Sequence, residues 1–216
     1  MKLSFSTKGW HNASFEDFCH IASDLGFEGI ELHNIHNRLF TDRDGAFHDY
    51  AAAATRRNLF EKKLSLPCLD AVCDLSGESD GTDEATVEEI RACLSIAGEM
   101  HIPNVRIRAA EAEDKEKAVK HVVSVIEKVL PVAEEKHVSL LLETGGIFSH
   151  TAELRTLLDS FASDYLGALW QMSAAYFGGG ESPEEVIRNL GAYVRHVHVC
   201  DAHKTEKGIE YCLVGE

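Results

Sequence analysis

Short apolar runs alternate along the chain with longer segments whose apolar positions recur every three or four residues. The runs are Leu3–Thr7, Gly29–His33, Leu64–Leu69, Asn104–Arg108, Val138–Glu143, Leu166–Gln171 and Arg195–Asp201. They return about every 30 residues, the length of a strand, a crossover helix and its loops. Strands alternating with helices predict a parallel sheet. The helical segments have readable ends. Ser14 and Asp17 make a capping-box pattern ahead of the stripe Phe15, Phe18, Ile21, Ala22 and Leu25, and Gly26 supplies the stop. Thr151 is placed to cap the stripe Leu154, Leu157, Leu158 and Phe161. Ser182-Pro183-Glu184-Glu185 combines an N-cap serine, an N1 proline and an N3 glutamate. The segment from Asp114 to Lys136 buries Val119, Val122, Val123, Ile126 and Val129, with a kink or a fresh start expected at Pro131.

Seven such units fit either an open doubly wound sheet or a barrel. The first strand runs into Lys8-Gly9-Trp10-His11, which lacks the Gly-x-Gly-x-x-Gly turn of a dinucleotide site. Gly178-Gly179-Gly180 precedes Glu181-Ser182-Pro183 instead of Lys-Ser/Thr, so it reads as a turn into the next helix and not as a phosphate loop. The pattern therefore predicts an α/β fold, a (β/α) TIM-type barrel with seven of its eight units in this chain. Residues 1–216 carry no linker or low-complexity tract and read as one barrel domain.

In such a barrel, chemistry belongs at the carboxyl ends of the strands. Alternate strand residues share a face, so the inward candidates can be named. Glu143 ends the run Ser139-Leu140-Leu141-Leu142, and a carboxylate there is costly to bury unless it is paired or bound to a metal. It reads as a metal ligand or base, or else as a strand-end carboxylate in solvent. In Arg195-His196-Val197-His198-Val199-Cys200-Asp201 the histidines face one way and the valines the other. With the valines packed on helices, the histidines point into the barrel, where imidazole serves as a ligand for a divalent ion. His198 lies nearer the carboxyl end, and His196, one layer deeper, reads as structural or supporting. Glu31 and His33 share a face on the second strand, and Arg106 and Arg108 share one on the fourth. The arginines could hold a carboxylate, a phosphate or a polar sugar, or could balance Glu31 and Glu143. Trp10 and His11 follow the first strand, where a ring could cover a sugar face. Asp70, Asp74, Glu78, Asp80, Asp83 and Glu84 read as loop residues after the third strand, without EF-hand spacing.

Charge and cysteine usage narrow the picture. A net charge of −15 disfavours nucleic-acid partners, whose phosphates need Lys and Arg. No apolar run approaches the ~20 residues of a membrane span, and the opening Met1-Lys2-Leu3-Ser4-Phe5-Ser6 is too short for a signal peptide. Six scattered cysteines without a Cys-x-x-Cys pair give no zinc or redox motif, and a cytoplasmic location with reduced thiols is expected.

Taken in order, several segments resemble the sugar phosphate isomerase/epimerase family of xylose isomerase-like barrels. They are Gly26-Phe27-Glu28-Gly29-Ile30-Glu31-Leu32, Val105-Arg106-Ile107, Leu142-Glu143-Thr144, Trp170-Gln171-Met172-Ser173-Ala174-Ala175-Tyr176, Gly180-Glu181-Ser182-Pro183-Glu184-Glu185 and His196-Val197-His198-Val199-Cys200-Asp201. The resemblance implies a divalent metal (Mn, Co, Zn or Mg) held by residues on strands five to eight. Carried over by position, Glu143 and His198 are ligands and Glu143 also a base. Gln171 stands at an aspartate ligand position, as a weakened ligand or a hydrogen-bonder to substrate. Ala174 replaces a substrate-binding histidine, and Cys200 a frequent lysine. His33, Glu31, Arg106, Arg108, Gln171 and Trp10 form the implied substrate-binding set. The implied reaction isomerises or epimerises a small sugar, sugar phosphate or polyol-derived ketone through a metal-stabilised enediolate. The departures also fit a catalytically impaired relative that binds a sugar or serves as a subunit. An endonuclease-type relative acting on abasic DNA fits poorly with the acidic charge.

Against a barrel of about 250 residues, the chain counts one unit short. The expectation is a truncated chain, or a homo-oligomer in which a neighbour covers the open edge.

Overall fold

Two alternating faces of one sheet decide the architecture. The computed structural model describes residues 2–10, 12–77, 83–206 and 208–216, so His11, Glu78 and Asp80 lie outside the described residues. Strands β1 (Ser4–Ser6), β2 (Gly29–His33), β3 (Leu69–Asp74), β4 (Asn104–Arg108), β5 (Ser139–Glu143), β6 (Leu166–Gln171) and β7 (Val194–His198) pair in parallel and in chain order. Between them lie α1 (Phe15–Leu25), α2 (Arg38–Thr41), α3 (Asp49–Glu61), α4 (Asp83–Met100), α5 (Lys115–Lys136), α6 (Thr151–Phe161) and α7 (Pro183–Leu190). A π-helical turn, Ala174–Gly178, follows β6, and an antiparallel hairpin of β8 (Asp201–Thr205) and β9 (Gly208–Cys212) follows β7.

The outward residues Ile30, Leu32, Leu69, Val105, Ile107, Leu140 and Leu142 pack with helix residues such as Phe18, Leu94, Val122, Ile126 and Leu154 in the main core. The inward face is different. Cys68, Leu141 and Leu169 form a small apolar floor of their own. Because strand side chains alternate, each of the three lies two residues before a polar inward position, namely Asp70, Glu143 and Gln171. The three therefore form an apolar layer beneath a polar one.

The seven-strand α/β arrangement is the TIM-type fold predicted. The capping boxes at Ser14/Asp17 and Ser182/Glu185 are both formed, and Gly26 takes the left-handed conformation at φ 73°. Four expectations are corrected. Strand three begins at Leu69, not Leu64, since Pro67 interrupts the earlier run and only Ser65 makes an isolated bridge to Gly29. Strand seven ends at His198, and Asp201 opens the hairpin instead. Thr151 is the first residue of α6 and not its cap; its amide and hydroxyl both donate to the Glu181 carboxylate. Helix α5 is one segment through Pro131, so no new helix starts there.

β1 and β7 are the two ends of the sheet and do not pair, so the barrel is open along one seam. Val197 and Val199, expected to pack on helices, are 37% and 60% exposed. No helix of the described residues follows β7 to cover them. None is long and apolar enough to cross a membrane.

Packing predicts a sharp contrast between the two sides of the barrel. Leu169→Ala, in the inner floor, is expected to lower unfolding stability by ~2–5 kcal/mol. Val197→Ala, on the uncovered outer face, is expected to stay within about 0.5 kcal/mol of wild type. Equilibrium denaturation of the two variants checks this, and equal losses would contradict the assignment of faces.

Candidate functional site

Neighbouring strands lie about 4.8 Å apart, and the register sets inward polar residues side by side. His33 on β2 is level with Asp70 on β3, which is level with Arg106 on β4. On the closing side, Gln171 on β6 is level with His198 on β7. From this register a continuous network forms inside the barrel. His33 Nδ1 lies 2.6 Å from Asp70 Oδ2. Arg106 reaches Asp70 Oδ1 with one terminal nitrogen and Glu143 Oε2 with the other. Glu143 Oε1 is 3.3 Å from His198 Nδ1. The far nitrogen of that ring, Nε2, lies 2.9 Å from Glu31 Oε2, and His196 Nε2 meets the same oxygen at 2.8 Å.

Burial and partners set the charges. Burial alone would raise the Glu31 carboxyl, but hydrogen bonds from His196 and His198 outweigh it and bring it down to about 2. Glu143 follows the same balance, with burial opposed first by the His198 hydrogen bond and then by Arg106, and ends below its ordinary value. Burial disfavours charge on His198, yet its bonds to Glu143 and Glu31 prevail and lift it to about 9. At neutral pH it is an imidazolium donating from both nitrogens. Arg106 is held firmly charged despite its burial, chiefly by Asp70 and Glu143.

Glu31, His196 and His198 offer one ligand atom each, all within 4.8 Å of one another, and form the one such group among the described residues. They line a cavity of about 1570 Å³ that also takes in Asp70, Arg106, Glu143 and Gln171. The open seam widens it, for Ser4 and Ser6 of β1 and Tyr211 of the hairpin stand in its wall. At its mouth Gly146, at φ 54°, brings the loop after β5 against β4, where an added Cβ would lie 2.0 Å from the Ala109 oxygen.

Residues 19–211 match the family of xylose isomerase-like TIM barrels. The chain belongs to that family.

Among solved structures, this xylose isomerase-like barrel is similar to a probable 3-DHS dehydratase, AsbF, involved in petrobactin synthesis from Bacillus anthracis. They share 22% identity over 94% of this chain and 74% of that one, with a TM-score of 0.77. It is likewise similar to an IolI protein with a bound zinc atom, at 15% identity over 95% and 74% of the two chains and a TM-score of 0.79. A D-psicose 3-epimerase solved in the presence of D-fructose shares 17% identity over 96% and 76%, with a TM-score of 0.76. A search of curated proteins by sequence gave no match. At these identities the likeness is one of fold.

Of the residues singled out from sequence, Glu31, His33, Arg106, Glu143 and His198 come together in the network. Arg106 takes the balancing role, with Asp70 and Glu143 as its partners. Arg108 and Gln171 line the same cavity. The Gln171 carbonyl accepts from Cys200 Sγ at 3.3 Å and from Ser173 Oγ at 3.4 Å. Trp10 is not in the cavity wall; it packs against Phe5 and Phe18 with ring centroids 6.3 and 6.4 Å away. Sequence reasoning missed Asp70, because starting the third strand five residues early put it in a loop. Pro67 was the available signal, since a proline inside a paired strand removes a ladder hydrogen bond. Asp74 also belongs to β3, where its carboxylate accepts from the Ser76 and Ala110 amides.

The raised His198 pKa makes a signed prediction for chelator-treated protein. A group whose folded pKa of about 9 exceeds its ordinary 6.5 contributes stability that is fully present below pH 6.5 and is lost as pH rises through 9. The stability gap between wild type and His198→Gln should therefore be widest below pH 6.5 and narrow above pH 9. Denaturant unfolding across that range measures it, and a gap that widens with pH would contradict the assigned charge.

Proposed function

We propose that this chain is a divalent-metal-dependent isomerase or epimerase of a small sugar or polyol-derived hydroxy-ketone. The observation that carries the reading is the convergence of Glu31, His196 and His198 within 4.8 Å beside the ionised Glu143. Two imidazoles and a carboxylate are a donor set suited to Zn, Mn or Co. Each ligating nitrogen must be free of its proton, so uptake would displace a proton from the His198 imidazolium. The residues present fit the ion.

His198 makes two seats, one on each ring nitrogen. Through Nε2 it joins Glu31 and His196, and its Nδ1–H stays on Glu143. Through Nδ1 it joins Glu143, with Gln171 on the neighbouring strand, and its Nε2–H stays on Glu31. A ligating histidine whose other N–H rests on a carboxylate is the usual supporting arrangement in metal sites. We favour the first seat, because the Gln171 carbonyl is already engaged by Cys200 and Ser173.

A bound divalent ion supplies Lewis-acid polarisation of the substrate carbonyl and its neighbouring hydroxyl. Glu143, ionised and held at Oε2 by Arg106, takes the proton from the carbon alpha to that carbonyl and can return it to the adjacent position. Asp70 positions Arg106. The family's solved sugar epimerases agree with this class of reaction. A second reading, a sugar-binding relative without turnover, is favoured by the engaged Gln171 and by Ala174.

Metal titration and solvent-deuterium exchange into D-fructose test the proposal. Wild type with Mn, Co or Zn is expected to bind near one equivalent and to exchange the alpha proton. Glu143→Gln should lose exchange by ~10²–10⁴-fold while keeping the ion, and Glu31→Gln should lose the ion itself. Tight binding without exchange of any ketose would favour the second reading. Failure to bind any divalent ion would defeat the first.

A further inference from the structure

Cysteines scattered in sequence can meet in space, and two of the six do. Helix α4 lays Glu89 and Cys93, one turn apart on one face, against the outer side of β3. Cys73, near the end of β3, packs on the main core in that same helix–sheet layer. Cys93 is fully buried there, and its Sγ donates to Glu89 Oε1 at 4.0 Å. Burial pushes the Cys73 thiol up to about 12, and the charge of Glu89 is the next cause. Cys93 is pushed up as well, by burial first, then by Glu89 and by Cys73. The two sulfurs and the carboxylate therefore share one small region.

A fourth donor comes from the loop after β2. Asn34 takes the left-handed conformation at φ 65°, and its side chain accepts from the His36 amide at 2.9 Å. The Asn37 side-chain amide donates to the His33 and Asn34 carbonyls and holds the turn. This turn carries His36 to α4, where its Nε2 lies 2.6 Å from Glu89 Oε2. Glu89 thus has an imidazole on one oxygen and a thiol on the other. Its side chain is only 13% exposed, whereas that of His36, its one ion-pair partner among the described residues, is 66% exposed. A carboxylate set into a helix–sheet layer with so weakly shielded a partner is costly, and packing gives no reason for it.

We infer that Cys73, Cys93, Glu89 and His36 form a second metal site, for a soft, thiolate-binding cation, in the outer layer of the barrel. The four are spread more widely than the group of Glu31, His196 and His198. An ion draws them together by turning the exposed His36 ring and the Glu89 carboxylate, while the sulfurs stay on the packed pair of β3 and α4. Two sulfurs make this set softer than the imidazole–carboxylate group inside the barrel, so the two sites sort different ions. On binding, both S–H bonds break, two metal–sulfur bonds form and the protons pass to solvent. The site stands independently of the isomerase reading.

Cadmium is the probe, because cadmium–thiolate bonds give an ultraviolet charge-transfer band that nitrogen and oxygen ligands do not. Titration of the reduced full chain with Cd2+ is expected to raise this band to saturation. Cys73→Ser combined with Cys93→Ala should remove it. Glu89→Gln and His36→Ala keep both sulfurs and should each weaken cadmium binding by ~10-fold or more. Mn binding, which thiolates support poorly, should be the same in all these variants, and circular dichroism shows that each is folded. Should the cysteine variant fail to fold, Glu89→Gln and His36→Ala decide the case. No thiolate band in wild type, a band that survives the loss of both cysteines, or cadmium binding untouched by both Glu89→Gln and His36→Ala overturns the inference.

Discussion

The barrel interior is organised around one constraint: three carboxylates, the buried Glu31 and Asp70 and the partly buried Glu143, share a space only a few strands wide. Charges taken out of water demand partners, and removing one partner costs far more than the pair contributes. Arg106 answers for Asp70 and Glu143 together, and His198 answers for Glu143 and Glu31. These two residues tie β2, β3, β4, β5 and β7 through side chains where the backbone ladder alone would leave the two sheet ends independent. Three carboxylates against one guanidinium and one imidazolium leave a single negative charge. Replacing the His198 proton by a dication would bring the same set to zero, so a proton and a dication would compete for the same ring nitrogen.

Much of the fold was legible because strand and helix periods are written in apolar positions. The stripes, the two capping boxes and the Gly26 stop depend on residues within a few positions of one another, and they formed as read except at Leu25, which is exposed at the end of its stripe. The inward pointing of His196 and His198 was legible for the same reason, given that a parallel barrel strand buries one face on helices and one inside. What the alternation could not fix was where a strand begins when a proline splits an apolar stretch, and that slip placed Asp70 in a loop.

Partnership between side chains was less readable still. Nothing in Val105-Arg106-Ile107-Arg108 distinguishes an arginine locked between two carboxylates from one left free two residues later. The difference lies in which residues of β3 and β5 stand level with each, a property of register and not of local sequence. Glu31 likewise looked secondary, because its two histidine partners lie some 165 positions away along the chain.

That separation bears on how the molecule is assembled. Every pairing in the main sheet joins strands that follow one another in sequence, so each can form after closing only a short loop. The bonds from Glu31 to His196 and His198 instead span 165 and 167 residues. Loop-closure entropy rises only slowly with length, but a contact of that range must await the ordering of all that lies between. On this topology the candidate site is expected to form late: neighbouring strands can pair one after another, and the Glu31–histidine contacts are the knot tied last.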